Sequence, residues 1–379
     1  LQNPLAASSS VARNAENSVM HVPKLRIASF NDVYILENLP KLQTFLRKLL
    51  PRPDIVCLCG DFLSPSVLSS VDGGKGMVAT LRAVGITHAI LGNHEADLKL
   101  NTLEKRLRKL QTTTSIINSN VGRSGDHLPK AEFLASLPQL DVVQTSCGRV
   151  NVGLLGLLSD EKTVMRGRKF RELPIDNILE TFDSIHAQNQ CDWLLPLTHQ
   201  TIHRDKELAK HILEIQPGSG LILGGHEHEP LDEIVSNGQN SIRIMKSGCN
   251  AEAIRLVDLQ FDVSSETGVQ LGEMQADLIS ITGFEPSTFV QNIVDSHMEI
   301  LHALDNEDIH HAHELLGGRV LSSERTRFQQ TTVGGLFGTA IKEELEVDAA
   351  IINGATIKGN RRYEDQKMTH SQLKSELPF

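Results

Sequence analysis

Residues 88–95 read HAILGNHE, a short apolar run that ends in glycine and is followed at once by polar side chains. Apolar runs of about four to eight residues, bounded by turn signals, predict buried strands. Asn93 and His94 then fall at the carboxyl end of the predicted strand, where they can face a ligand.

Four other parts of the chain have the same arrangement: 25–32 (LRIASFND), 55–61 (IVCLCGD), 193–199 (WLLPLTH) and 221–228 (LILGGHEH). Between these runs lie amphipathic helical stretches such as residues 39–50 and 103–110, and this alternation is typical of an α/β domain. The carboxyl ends of the strands in an open α/β sheet gather along one edge, where ligands bind. We therefore expect the five segments to converge on one place.

The side chains expected to converge are of the types that bind metal ions. They supply two carboxylates, one amide oxygen and three imidazoles: Asp32, Asp61, Asn93, His199, His226 and His228. A single Asp after a strand is usually a turn or cap residue, and a single His usually packs in a core. As a set, they favour a centre for Mn, Fe, Zn or Co, and one shared carboxylate would allow two ions about 3.5–4 Å apart.

Length and charge exclude several other classes of protein. With 379 residues, 40% of them hydrophobic, the chain can form about two or three domains with buried cores. Its net charge of −10 argues against binding to a nucleic-acid polymer. No apolar run approaches the roughly 18 residues of a membrane helix, so we expect no membrane span.

The five cysteines are sparse and odd in number, so they predict no disulfide framework and favour a reducing compartment such as the cytoplasm. The chain begins at Leu1 rather than Met, so a removed signal peptide, and with it an extracellular or periplasmic location, stays open.

The pattern of residues divides the chain into four parts. Residues 1–23, rich in Ser, Asn and Ala, are expected to be a mobile leader, and the α/β pattern of the first domain covers residues 24–262. Residues 263–318 are expected to form an exposed excursion, up to residue 280, and then a helical linker at about 287–304. Residues 319–379 form a second α/β region, with a helix expected at 335–345 and a strand at 349–352. About 60 residues is small for an independent core, which indicates a partial domain.

The order of the motifs resembles that of the calcineurin-like metallophosphoesterases, in particular their 5′-nucleotidase and 2′,3′-cyclic-nucleotide phosphodiesterase branch. The family pattern is Asn-Asp-x-His, Gly-Asp, Gly-Asn-His-Glu-x-x-Asp, Thr-His and Gly-Gly-His-x-His, and this chain carries it from Asp32 to His228 with one departure. The resemblance implies a four-layer α/β sandwich, made of two mixed sheets flanked by helices, with a partial C-terminal α/β substrate-binding domain. It also implies two divalent or mixed-valence metal ions.

The same resemblance implies hydrolysis of phosphate monoesters by metal-bound hydroxide, with nucleoside 5′-monophosphates or similar small organophosphates as substrates. A phosphodiesterase for cyclic nucleotides or nucleotide-sugars, and a non-catalytic nucleotide or metal sensor, are the alternatives.

The resemblance also assigns roles to individual residues. Asp61 is implied to bridge the two ions, with Asp32 and His228 at the first ion. The second ion is implied to lie at Asn93, His199 and His226. His94 is implied to be a catalytic acid rather than a ligand, oriented by Asp97 three residues later.

The departure is Tyr34, which stands where the family has the histidine of its Asp-x-His motif. A phenolate ligand would add negative charge beside Asp32 and Asp61 and favour a harder ion such as Fe(III). Alternatively, Tyr34 only lines the pocket and leaves the first ion with fewer ligands. In a third interpretation, the first site is defective and the protein binds without turnover.

The C-terminal region resembles the substrate-binding domain of the same family. Arg-Thr-Arg at 325–327, Asn-Gly-Ala-Thr-Ile-Lys at 353–358 and Leu-Pro-Phe at 377–379 follow the family's order. They imply that Asn353 and Lys358 face a nucleoside and that Phe379 stacks on its base. A turn at Asn353 and a core position for Phe379 are the alternatives. Lys358 stands where the family has arginine, which exchanges a bidentate fork for a point charge and leaves the base preference open.

Overall fold

The computed structural model describes residues 22–123, 128–165, 173–215, 218–264, 266, 268–305, 319–364 and 367–377. The predicted leader, apart from its last two residues, and Phe379 lie outside this part of the chain.

The first sheet has six strands in the order β12-β11-β1-β2-β3-β4. They are β1 (Lys24–Phe30), β2 (Ile55–Cys59), β3 (His88–Ile90), β4 (Ser115–Ile117), β11 (Ala253–Ser264) and β12 (Gly268–Ser280). β1 to β4 are parallel, and β11 and β12 form an antiparallel hairpin that joins the sheet beside β1.

The second sheet also has six strands, in the order β5-β6-β7-β8-β10-β9. They are β5 (Leu140–Gln144), β6 (Asn151–Leu158), β7 (Trp193–His199), β8 (Gly220–Gly225), β9 (Pro230–Ser236) and β10 (Ser241–Ser247). The four central strands are parallel, and the two edge strands are antiparallel to their neighbours.

Helices cover the outer faces of both sheets. They are α1 (Leu39–Lys48), α2 (Val67–Asp72), α3 (Lys75–Val84), α4 (Leu100–Leu110), α5 (Leu128–Ser136), α6 (Ile178–Ala187), α7 (Ile202–Ile215) and α8 (Thr288–Asp305). α1, α3, α4 and α8 share a core with the first sheet, and α6 and α7 share one with the second. The predicted four-layer sandwich of two mixed sheets is confirmed.

The two sheets face each other across an apolar core. Ile27 and Ile55 of the first sheet lie in one buried cluster with Leu154 and Leu197 of the second. Alternate residues on the same strands, such as Phe30, belong instead to the core beneath the helices. Strands that are covered on both faces are continuous apolar runs in the sequence. For this reason the positions of these strands could be predicted from the sequence.

Residues 263–280, expected to form an exposed excursion, instead contain the last residues of β11 and the whole of β12. This strand pairs with β11 from Ser264↔Gly268 to Ala253↔Ser280. β12 is polar because it is an edge strand, and many of its side chains face solvent. The helix expected at about 287–304 is confirmed as α8.

The C-terminal region contains α9 (Thr332–Glu344), α10 (His370–Glu376) and a small hairpin of β13 (Leu321–Ser322) and β14 (Arg362–Tyr363). The helix expected at 335–345 is confirmed as α9, but the strand expected at 349–352 is wrong. Within the described residues that segment pairs with no strand, and Ile351 is 98% exposed. An apolar run becomes a strand only where a neighbour satisfies its backbone hydrogen bonds. No helix in the described part of the chain is long and apolar enough to cross a membrane.

Candidate metal centre

The five predicted segments come together, but they come from two sheets rather than from one. β1, β2 and β3 lie in the first sheet, and β7 and β8 lie in the second. Donor atoms of Asp32, Asp61 and His199 all lie within 4.8 Å of one another, and all three side chains are buried. The site therefore lies where the carboxyl ends of strands from the two facing sheets meet.

The turns that carry Asp32 and Asp61 have left-handed backbone conformations. Their φ angles are 54° and 52°, which is unusual for residues other than glycine. The two turns are bonded to each other, because the N–H of Asp32 donates to Gly60 O (3.1 Å) and the N–H of Val33 donates to Asp61 O (2.8 Å). Strained backbone of this kind clusters at functional sites.

His199 is the most informative residue of the cluster. Its Nδ1 lies 2.8 Å from the carbonyl oxygen of Cys59, whereas its buried Nε2 has no hydrogen-bond partner in the part of the chain that the structure describes. Nε2 lies 3.1 Å from Asp61 Oδ2. Because Nδ1–H donates to a carbonyl oxygen, Nε2 is the ring nitrogen left to bind a cation, and in the neutral ring it offers a lone pair beside the Asp61 carboxylate. The donors present therefore fit a metal ion.

The electrostatic field at His199 also favours positive charge. Burial lowers the pKa of this imidazole, but the carboxylates of Asp61 and Asp32 outweigh burial and raise the pKa to about 10. Burial opposes ionisation of Asp61 too, yet the neighbouring imidazole of His199 keeps the pKa of Asp61 below its ordinary value. A site that binds a proton this strongly is also suited to binding a metal cation.

Asn93 and His226 lie beside this cluster. Nδ1 of His226 lies 3.0 Å from Oδ1 of Asn93, and the backbone N–H of His226 donates to Asp32 Oδ2 at 2.8 Å. The rings of His199 and His226 are 5.5 Å apart, centroid to centroid. The structure thus brings the three residues expected at the second ion next to one another.

Tyr34 lies among the residues expected at the first ion. Its hydroxyl donates to Asp32 Oδ1 at 2.9 Å and lies 3.3 Å from Asp61 Oδ2 and 3.0 Å from His228 Nε2. Burial, together with the charges of Asp61 and Asp32, raises the pKa of the phenol. His228 lies at the rim, with Nε2 3.5 Å from Asp32 Oδ1.

His94 and Asp97 form a pair at the edge of the cluster. Nδ1 of His94 lies 2.6 Å from Oδ2 of Asp97, and the hydroxyl of Ser64 donates to the same oxygen at 3.2 Å. The backbone N–H of His94 donates to Asp61 Oδ1 at 2.7 Å, which links the pair to the cluster. An open cavity of about 500 Å³ lies against these groups, lined by Asp61, Asn93, His94, Thr163, Val164, His226 and His228.

Residues 25–230, more than half of the chain, match the family model of the calcineurin-like phosphoesterases. The chain belongs to this family. Calcineurin-like phosphoesterases are hydrolases that use divalent metal ions, and the donor cluster of Asp32, Asp61 and His199 is of the kind that such ions require.

Solved structures share the fold of this phosphoesterase at low sequence identity. The 5′-nucleotidase precursor from Thermus thermophilus is 16% identical, with a TM-score of 0.63 over 94% of this chain and 74% of that one. The NAD nucleotidase from Haemophilus influenzae is 13% identical, with a TM-score of 0.64 over the same shares. The calcineurin-like phosphoesterase YfkN from Bacillus subtilis is 15% identical, with a TM-score of 0.57 over 74% of this chain and 98% of that one. No curated protein sequence matches the chain.

Sequence reasoning missed Glu95 of this phosphoesterase. This fully buried carboxylate accepts hydrogen bonds from the backbone N–H groups of Asp61 (3.0 Å), Phe62 (2.8 Å), Leu63 (3.0 Å) and Gly92 (2.6 Å). Burial and the charge of Asp61 raise its pKa to about 6. Glu95 thereby holds the turn that presents Asp61. Its position directly after Asn93 and His94 in the motif was the one feature of the sequence that could have marked Glu95 as part of the site.

The glycine before Asn93 is required by close packing. A Cβ at Gly92 would lie 2.2 Å from Asp61 Oδ1 and 2.3 Å from Asp61 N. Any larger residue would therefore displace the carboxylate that is central to the cluster.

The predicted substrate-binding residues of the phosphoesterase lie in the C-terminal region. Asn353 is exposed, and its Oδ1 accepts from the backbone N–H of Ala355 at 3.0 Å, at the start of a short 3₁₀ helix. Lys358 is also exposed, and its backbone N–H donates to Glu376 O at 2.9 Å. A nucleoside-binding role for both residues stays a prediction, and Phe379 lies outside the described residues.

Proposed function

We propose that this phosphoesterase hydrolyses small phosphate monoesters, such as nucleoside 5′-monophosphates, at a centre of two metal ions. The observation that carries the proposal is His199, whose buried Nε2 faces the Asp61 carboxylate without a hydrogen-bond partner among the described residues. The fold similarity to a 5′-nucleotidase precursor and to an NAD nucleotidase, each over 94% of this chain, supports nucleotides as the substrate class.

The two ions would share Asp61. Asp32 and His228, with Tyr34 as a further candidate, would hold the first ion, and Asn93, His199 and His226 would hold the second. When bound, divalent ions of this kind lower the pKa of water and neutralise the charge on phosphoryl oxygens. Mn, Fe, Zn and Co suit this mixture of oxygen and nitrogen donors, and Fe(III) would suit the first position if Tyr34 is a ligand.

His94 would donate a proton to the leaving oxygen as the P–O bond breaks and water adds to phosphorus. Because Asp97 engages Nδ1, that proton would come from Nε2. The carboxylate also orients the ring, since it lies 2.6 Å from Nδ1. Asp97 is thus a positioning residue, and His94 is the catalytic residue that touches the substrate.

The similarity to an NAD nucleotidase favours a second candidate, a phosphodiesterase that acts on nucleotide-sugars or cyclic nucleotides. Both reactions need the same neutralisation of phosphoryl charge. They differ in the group that must fit the cavity beside His94.

The test is to strip the protein with a chelator, reload it with Mn²⁺, Co²⁺, Zn²⁺ or iron, and measure metal content by elemental analysis. The loaded protein is then assayed with AMP, a 2′,3′-cyclic nucleotide, a nucleotide-sugar and p-nitrophenyl phosphate. We expect two ions per chain and the highest kcat/KM with AMP. A higher kcat/KM with the cyclic nucleotide or with the nucleotide-sugar would favour the second candidate. Metal binding and nucleotide binding without turnover of any ester would identify a sensor instead.

A further inference from the structure

Lys246 is a lysine without solvent exposure near the carboxyl end of a strand in the second sheet. It lies in β10, paired with Gly224 of β8 and Leu231 of β9, and its side chain is 0% exposed. Burying an ammonium group is strongly unfavourable unless it is paired and hydrogen-bonded. A chain that retains such a charge therefore has to surround it with acceptors.

Hydrogen bonds use all three protons of the Lys246 ammonium group. Nζ donates to the carbonyl oxygens of Gln200 (2.7 Å) and Gly225 (2.8 Å) and to the carboxylate of Glu227. It also lies 2.7 Å from Oδ2 of the fully buried Asp205. One ammonium group thus joins the ends of β7 and β8 and the first turns of α7.

Each acceptor that bonds to Lys246 is a sequence neighbour of an expected metal ligand. Gln200 follows His199, Gly225 precedes His226, and Glu227 stands between His226 and His228. The hydrogen bonds of Lys246 therefore fix the backbone on which all three imidazoles are mounted.

Asp205 extends this support to the other side of His199. Its Oδ1 accepts from the hydroxyl of Thr198 at 2.7 Å and from the side-chain amide of Gln200 at 2.8 Å. Glu227 adds a link of its own, because Oε1 accepts from the backbone N–H of Ile202 at 2.6 Å. The residues on both sides of His199 are held by one buried network.

The sheet also makes room for this side chain. A Cβ at Gly224 would lie 2.9 Å from Cε of Lys246. The glycine is thus needed for the lysine stem to pass along β8 and reach the turns.

We propose that Lys246 is a positioning residue that sets the relative placement of His199, His226 and His228 for metal binding. The inference rests on the metal centre of the proposed function. Groups that orient metal ligands typically change metal affinity about 10–100-fold when they are removed. Loss of the ammonium would free the segments that follow β7 and β8 to move apart, and the affinity of the centre would fall.

The test compares Lys246→Met with Lys206→Met in chelator-treated protein. Lys206 is a matched control, because it lies on α7 in an exposed pair with Glu233 at 3.2 Å. Mn²⁺ binding is measured by electron paramagnetic resonance of the free ion, and folding is checked by circular dichroism and denaturant titration in chelator. We expect at least one Mn²⁺ site to weaken about tenfold or more in Lys246→Met. The affinity of Lys206→Met should equal that of the wild type.

Glu227→Gln keeps the ammonium and the side-chain shape but weakens one of its bonds, so it carries the test if Lys246→Met does not fold. We expect a smaller loss of Mn²⁺ affinity in that variant. If Lys246→Met folds and its Mn²⁺ affinity is unchanged or increased, the inference is overturned and the proposed function is not. If only Glu227→Gln folds, an unchanged affinity in that variant has the same meaning. If the wild-type protein binds no metal, the proposed function fails and this inference fails with it.

Discussion

The hydroxyl of Tyr34 lies 3.0 Å from Nε2 of His228, and the two residues follow strands of opposite sheets. The same hydroxyl donates to Asp32 Oδ1 at 2.9 Å. Tyr34 replaces the histidine of the family's Asp-x-His motif, and its longer side chain still brings an oxygen to the carboxylates. This contact places the hydroxyl among the residues expected at the first ion, and its role as a ligand stays a prediction.

Tyr34→Phe removes that oxygen and keeps the ring. We expect the variant to bind one of the two ions about tenfold more weakly, which is measurable by elemental analysis after dialysis. If the phenolate binds Fe(III), oxidised iron-loaded wild-type protein will show a visible charge-transfer band that this variant lacks. Tyr363→Phe is the control, because Tyr363 lies in the C-terminal region and bonds to Glu376. If the metal content of Tyr34→Phe equals that of the wild type, and the wild type shows no such band, Tyr34 only lines the pocket.

His94→Ala should lower kcat about 10²- to 10⁴-fold, because the leaving oxygen loses its proton donor. Metal content should stay at the wild-type level, since the proposal gives His94 no ligand role. Asp97→Asn should cause a smaller loss of kcat by weakening the orientation of the ring. His203→Ala, at a side chain that is 79% exposed, is the control and should retain full activity. Loss of bound metal in His94→Ala would contradict the assignment.

Glu95→Gln tests the buried carboxylate that holds the Asp61 turn. The amide NH₂ cannot accept, and each backbone N–H left without an acceptor costs about 1–3 kcal/mol. Removing the buried charge offsets about 2 kcal/mol of this, given that the pKa of Glu95 is raised from 4.5 to about 6. We expect the free energy of unfolding of metal-free protein to fall by a net amount of about 2 kcal/mol in denaturant titrations. Glu104→Gln, in an exposed pair with Arg108, should change it little. Equal stability of Glu95→Gln and wild type would show that the turn does not depend on this carboxylate.

Lys358→Ala tests whether the C-terminal region binds the nucleoside. We expect KM for AMP to rise several-fold with kcat nearly unchanged. A charge that binds the substrate without touching the reacting atoms stabilises the bound substrate and the transition state equally. KM for p-nitrophenyl phosphate, which has no nucleoside, should not change. Lys342→Ala on α9 is the matched control. A parallel rise for both substrates would place the effect on phosphate binding or folding instead.

The sequence predicted the strands that are covered on both faces most accurately. β2 is the apolar part of the segment predicted at 55–61, and β1 begins one residue before the segment predicted at 25–32. Such strands have apolar residues on both faces, so a short window of sequence is enough to identify them. β12 was missed because it lies at an edge, where polar residues are tolerated, and only its pairing with β11 reveals it.

The motif order also identified the residues that cluster, such as Asp61 and His199, because each stands at the end of an apolar run. The tertiary structure alone decided that these turns come from two sheets, and that the hydroxyl of Tyr34 reaches the carboxylates. It alone also revealed Glu95 and Lys246 as buried charges that hold the turns in place. A charged residue in a sequence is normally read as exposed, and its burial depends on acceptors and donors supplied by distant segments, which no local pattern encodes.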